Sequence, residues 1–480
     1  MFGFVASRDK HLQDIISEIP LNATYKSPNI QNDVIDIMAK IVTQSVVDNV
    51  NGADVQFATV LADGTRDKNN RENISIALRY VKDGKAFESL LYMPETQQLD
   101  ASSLTTLIVK TLRDTGINIG HIISQCYDGA TVMSGNKGGV QRLLQNEFGR
   151  EIPYVHCFNH RLHLVVVAVV SRIDAIKQYF DQVGLIYTFF QKIKAAEIYE
   201  GTSIKRVLDT RWNGHLNAIT AIVNNYTEIT NALRKIGSRQ FSQFDGETVV
   251  TAIGLASVVT TPDFRFISVT MKRVLELLKP DDQLLQKRNT DLNEAMCLID
   301  TCMDQVRKLR NEVSFIGISE CCDELMSDCE PATKRRNVQP PSHMKHFLTL
   351  EPTGHSHRQS DATDNTQVLF EVVDSVLTEM ERRFINQGWL YEAVTAMSRR
   401  SEKFLDLKTL APLSRLGITI PSSAELQVCK AYIGRLNIPI DELDSSKLLE
   451  LLYTNKSCGL FRYLHFGGYN SYIRVKQCSM

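Results

Sequence analysis

The sequence predicts an α/β fold, a mixed five-stranded sheet combined with a large all-helical segment. Three observations carry that prediction. Hydrophobic periodicity switches from helical to strand-like near residue 55. The elements then run β-β-β-α-β-α-β-α to about residue 160, and strand signals nearly vanish between about 160 and 410. A chain of 480 residues has room for about two or three hydrophobic cores.

The first 50 residues read as helical. Residues 22–28 are a loop, with Ser27-Pro28 placed to open the next helix. There Ile30, Val34, Ile37, Met38, Ile41, Val42, Val46 and Val47 recur at three- and four-residue steps. That spacing predicts an amphipathic helix with its apolar stripe against a core. Residues 55–61 form a short apolar, β-branched run, the first strand, with Asp63 just past its end. Residues 74–81 alternate in polarity, and Lys82-Asp83-Gly84-Lys85 supplies the positive-φ positions of a tight hairpin before the partner strand at 86–93. A helix over 102–115 stops at Gly116. Residues 121–126 are the fourth strand, running into Tyr127-Asp128-Gly129-Ala130. A helix over 133–148, a fifth strand over 153–157 and a helix from about Asn159 complete the series. Right-handed crossovers place the fourth strand beside the first and parallel to it, so Asp63 and Asp128 are expected side by side at neighbouring strand ends.

Beyond this, amphipathic helices are predicted over 171–200, 213–236, 266–279 and 281–315, a polar flexible loop containing Pro340-Pro341 over 326–365, and a helix over 366–387. The domain reading is an N-terminal helical segment at 1–50, a sheet core at 51–170, the helical segment at 171–410 and a C-terminal region at 411–480.

Composition narrows the function classes. A net charge of −1 means that contact with DNA needs a local basic surface rather than bulk charge. The longest apolar run, 162–170, contains His163 and is too short for a membrane span. The N-terminus lacks the basic and apolar regions of a signal peptide. Ten cysteines without a repeating spacing fit reduced thiols in nucleus or cytoplasm, not a disulfide framework.

Asp63 and Asp128 are the sharpest chemical pair. Carboxylates at adjacent strand ends can hold Mg²⁺, which prefers oxygen ligands, and paired ions can activate water and stabilise a leaving oxygen. The structural alternative is that both cap loops, as aspartates after strands commonly do. Cys157, His160 and His163, preceded by His156, crowd into one segment, whereas structural zinc uses two separated ligand pairs. They read as a strand-to-helix junction, with Cys157 buried and His160 directed toward the carboxylate end of the sheet. Thr210-Arg211-Trp212 opens a helix, and Trp212 is either a core anchor or a stacking group for an unpaired base. Lys334-Arg335-Arg336 is a short charge run, and Gly135 to Gly139 lacks the Lys-Ser/Thr ending of a phosphate-binding loop.

Read as strings, residues 125–135 (QCYDGATVMSG) and 154–164 (YVHCFNHRLHL) resemble the hAT-type transposase signature. They are similar in particular to the domesticated group with zinc-finger MYM-type-like proteins and the THAP-bearing repressor of the protein-kinase inhibitor. Supporting stretches are 23–32, 62–67 with 74–80, and Asp209-Thr-Arg-Trp212, followed by weaker ones at 285–292 and 381–384, all in order. The resemblance implies an RNase H-like sheet interrupted by an all-helical insertion, with Asp63 and Asp128 as metal-site acids, Cys157 and His160 as the family's Cys-x-x-His motif, and Arg211 and Trp212 as DNA-contacting residues. It also implies nuclear residence, a DNA target, and a protein partner or homodimer, with Mg²⁺ as the only cofactor. Family members carry an N-terminal zinc finger and a C-terminal Glu-Arg-x-Phe-like motif with the third catalytic acid. The first cysteine here is Cys126, and residues 449–464 resemble only the lead-in to that motif. Glu425 in Pro421-Ser-Ser-Ala-Glu425 imitates the motif without its Arg and is read as a decoy. The expectation is a chain truncated at both ends, catalytically incomplete, that associates with DNA or protein. The alternative is an active Mg²⁺-dependent transposase or nuclease subunit.

Overall fold

The computed structural model describes residues 10–18, 20, 27–53, 57–83, 85–207, 212–238, 244–285, 292–327, 362–385, 388–435 and 438–439. It divides into two compact units, the first comprising residues 1–157 with most of 389–480 and the second residues 158–388.

The first unit begins with helices α1 (Lys10–Glu18) and α2 (Pro28–Asn51). Ser27 caps α2, its hydroxyl accepting from the Ile30 N–H at 3.3 Å, and Pro28 occupies the first turn where a missing N–H costs nothing. Strands follow as β1 (Ala58–Arg66), β2 (Glu72–Lys82), β3 (Lys85–Tyr92) and the two-residue β4 (Glu95–Thr96). Then come α3 (Ala101–Asp114), β5 (Ile122–Tyr127), the single turn α4 (Thr131–Ser134), α5 (Val140–Phe148) and β6 (Tyr154–His156).

The sheet order is β3-β2-β1-β5-β6, with β4 beside β2 as a sixth, minor strand. The β1–β2 and β2–β3 pairs are antiparallel, and β1–β5 and β5–β6 are parallel. This mixed sheet is the predicted fold class. Val60, Ala62, Ile76, Leu78 and Tyr80 form its dry centre. The buried Gln125 amide donates to the Gln141 and Ile152 carbonyls at 2.9 and 2.8 Å, tying α5 to the sheet. Asp100 caps α3 by accepting from the Ser103 N–H at 3.0 Å, and hydrogen bonding by Ser103, its side chain first and its N–H second, holds the carboxyl below the usual range.

Three expectations change here. The first strand is longer than its apolar run, so Asp63 lies inside β1, paired with Ser75, because the hairpin with β2 continues to Arg66 and Glu72. The helix predicted over 133–148 is two helices, interrupted where Gly138-Gly139 follow the turn. The apolar stripe of α2 faces a core only at its end. Val46, Val47 and Val50 are buried, while every residue from Asn32 to Val42 is exposed.

The first unit resumes with α16 (Trp389–Thr395), α17 (Leu407–Leu410) and α18 (Ser423–Arg435). The start of α18 is a capping box: the Ser422 N–H donates to a Glu425 carboxylate oxygen at 2.8 Å, and the Glu425 N–H to the Ser422 hydroxyl at 3.3 Å.

The second unit has helices and no strand among its described residues: α6 (Phe158–Arg172), α7 (Asp174–Phe190), α8 (Ile193–Ile198), α9 (Trp212–Asn224), α10 (Tyr226–Gly237), α11 (Gly246–Val259), α12 (Pro262–Leu285), α13 (Leu292–Arg307), α14 (Glu312–Ser327) and α15 (Ala362–Phe384). Because the first unit continues on both sides of it in sequence, it is an insertion. Phe158 and Phe384 meet at 5.6 Å between ring centres and join α6 to α15. No helix among the described residues is long and apolar enough to cross a membrane.

Candidate functional site

Two strands and the turn after them build the site. Along β1 and β5 the parallel register pairs Thr59 with Ser124, Val60 with Gln125 and Leu61 with Cys126. The Thr59 and Ser124 hydroxyls hydrogen-bond to each other, so these two side chains share one face of the sheet. Side chains alternate along a strand, so Leu61 and Cys126 occupy that face too. The ladder ends at Leu61 and Cys126, with Asp63 two residues further along β1 and Asp128 two residues further on, just past the end of β5. Both aspartates are half-buried.

The turn after β5 is fixed on several sides. An Asp128 carboxylate oxygen accepts from the Ala130 N–H at 3.2 Å. Its main-chain carbonyl accepts from the Tyr154 hydroxyl at 2.6 Å. The Ser134 hydroxyl reaches back to the Gly129 and Ala130 carbonyls, both at 3.1 Å. On the face opposite Ser124 and Cys126, Tyr127, Tyr154 and His156 stack in sequence, with ring centres 6.1 and 6.2 Å apart. The His156 ring lies so close to Gly129 that a Cβ there would overlap it. Burial pushes the Tyr127 hydroxyl far above its ordinary range, so it stays neutral.

Cys157 is buried directly after β6, its N–H donating to the Tyr127 carbonyl at 3.0 Å. His160 lies in the first turn of α6, half-buried, its ring centre 5.8 Å from that of His163. These two residues fall in different compact units. Trp212 starts α9 with 2% of its surface exposed, so its ring is inside the second unit rather than on a surface. Arg211, Lys334, Arg335, Arg336 and residues 449–464 lie outside the described residues. Glu425 spends its carboxylate on the capping box of α18.

The donor set at Asp63 and Asp128 is all oxygen, the chemistry that Mg²⁺ favours. Among the described residues no group of three or more His, Cys, Asp or Glu side chains is gathered to hold a metal ion. Two carboxylates alone do not make a two-ion centre, so those residues do not fit that cofactor arrangement.

Inspection of the sequence missed the hydroxyl pair behind the acids, although a signal existed. A hydroxyl residue stands four positions before each aspartate, Thr59 before Asp63 and Ser124 before Asp128, inside otherwise apolar strands. It also missed the buried carboxylates of the insertion. Glu379 is almost fully covered and paired with Arg172, Arg382 and Arg383. Asp281 and Asp282 are buried near the end of α12, with Asp282 accepting from the Asn213 amide at 2.9 Å. Neither group breaks hydrophobic periodicity, so neither registers in a pattern search.

Comparison with known families bears on the sheet. Residues 1–139, from the N-terminus through β5 and the Asp128 turn, match the family DUF4371, described as the ZMYM1/FAM200 RNase-like domain.

Proposed function

We propose that this chain is a transposase-derived, RNase H-like protein of hAT type that acts by associating with DNA or protein rather than by strand transfer. The sheet order, the helical insertion and the RNase-like match over residues 1–139 support that descent. The functional half rests on Asp63 and Asp128, each two residues past the last β1–β5 pair, and on the absence of any group of three or more metal-binding side chains among the described residues. Such a pair would hold a single Mg²⁺ weakly and supply no second ion to the leaving oxygen. On this reading the acids are vestigial, the compartment is the nucleus, and the partners are DNA and protein, a second copy included. The same two acids at the end of the parallel strands also favour a rival, an active Mg²⁺-dependent nuclease subunit whose third acid lies outside the described residues.

A nicking assay on end-labelled duplex DNA separates the two. With Mg²⁺ present, wild type and Asp128→Asn are expected to give the same background. Cleavage by wild type that needs Mg²⁺ and disappears in Asp128→Asn overturns the proposal in favour of the enzyme.

A further inference from the structure

The face of α2 that meets no core among the described residues carries a second, independent message. Val34, Ile35, Ile37, Met38, Ile41 and Val42 are each 41–63% exposed. Together they open on the order of 600 Å² of apolar surface, the upper end of what soluble monomers carry. A helical stretch with every residue from Asn32 to Val42 exposed also gains nothing from packing, and helices that short are marginal in water by themselves.

The order of residues says what fits there. Read outward from Met38, the stripe is the same in both directions: Ile35 and Ile41 stand three residues away, Val34 and Val42 four. At 100° per residue these five side chains fall within about 60° of Met38 on either side. The nearest charges, Asp36 and Lys40, fall on the opposite side of the helix, so no ion needs to leave water when this face is covered. A patch that matches itself under a two-fold rotation is what an isologous contact requires.

We infer that α2 is a self-association helix. Two copies of this chain pair antiparallel about Met38, setting Val34 against Val42 of the second copy and Ile35 against its Ile41. The pair would bury about 1,200 Å², the lower bound for a specific stable interface. Near Val42 the Thr43 hydroxyl donates to the Leu91 carbonyl at 3.4 Å, so the contact is anchored where α2 joins the sheet. The exposed Tyr92 and Met93 beside that anchor extend the apolar rim.

Sedimentation velocity on the full chain from 1 to 100 µM tests this, alongside Met38→Asp and a disulfide mapping series. Wild type is expected to shift from monomer to dimer across the range. Met38→Asp sets two carboxylates face to face and should weaken the dimer at least a hundredfold, with an unchanged thermal midpoint at monomeric concentration. Under mild oxidation Met38→Cys should give a cross-linked dimer above the wild-type background. Val34→Cys should do so only when mixed with Val42→Cys. A wild type monomeric at 100 µM overturns the inference. So does a dimer indifferent to Met38→Asp, or efficient self-cross-linking of Val34→Cys, which means a parallel pair. None of these outcomes depends on the nicking assay.

Discussion

Gly129 is bare at Cα because the next strand leaves no room for more. A Cβ there would overlap the His156 imidazole, and that ring is itself stacked on Tyr154. Gly129→Ala must therefore displace either the ring or the turn that aims Asp128. We expect a loss of about 1–3 kcal/mol, typical of overpacking, read as a lower urea midpoint. The Ala130 amide, bonded to Asp128, should exchange with solvent faster. An unchanged midpoint and exchange rate mean that the imidazole yields freely and the turn is not held from that side. Glu379 poses the opposite problem. Its side chain is 1% exposed and faces Arg172, Arg382 and Arg383, at 60%, 55% and 15%. Burial works to raise its pKa, but the arginines outweigh it and hold the carboxyl below its ordinary range. Glu379→Gln leaves three cations around a neutral amide. Breaking a buried pair costs roughly 3–5 kcal/mol, discounted here to about 2–4 because two partners are half in water. The chain has two tryptophans, Trp212 in the insertion and Trp389 in the first unit. In a Trp389→Phe background, Trp212 emission should report the lower midpoint. No change there means that the cluster is electrostatically neutral in effect.

At the scale of elements, the sequence disclosed whatever depends on local pattern and hid whatever depends on a partner. The hairpin between β2 and β3 was readable because Asp83 must take a positive φ, and it does, at 51°. The parallel β1–β5 neighbourhood followed from handedness alone. Strand β1 was misjudged at its end because Asp63, Gly64 and Thr65 are not apolar, yet pairing with β2 keeps them extended. Helix α12 was expected to break at Pro280 and instead runs to Leu285. An internal proline costs about 3 kcal/mol, but Leu278, Leu284 and Leu285 are buried on either side of it, and their burial offsets that cost. The stripe on α2 is the instructive error. Periodicity identified an apolar face correctly and could not say whether its cover comes from the same molecule. The parallel β1–β5 pairing needed only topology, whereas the Thr59–Ser124 bond within it needed the register.

For the molecule as a whole, the insertion carries a term that ties stability to pH. Asp281 is 1% exposed, and among the described residues neither carboxyl oxygen meets an N–H or O–H donor. Burial pushes its pKa up to about 7, the neighbouring Cys302 thiol works against that rise by hydrogen bonding to the carboxyl, and Asp282 and Asp300 add smaller repulsions that raise it. The sign follows from linkage. The folded chain keeps this proton up to about pH 7, while the unfolded chain releases it near 3.8. Folding is therefore undisturbed by Asp281 at low pH, loses stability as pH rises from about 4 to 7, and bears the full cost above 7. At 1.36 kcal/mol per pK unit that cost is on the order of 2–4 kcal/mol. Asp281→Asn removes the ionisation and keeps the shape. Its thermal midpoint should match wild type near pH 4.5 and exceed it at pH 8, with the gap opening between those values. Parallel pH profiles for the two proteins would show that the Asp281 charge is compensated in the folded chain. The cost assigned to it would then vanish.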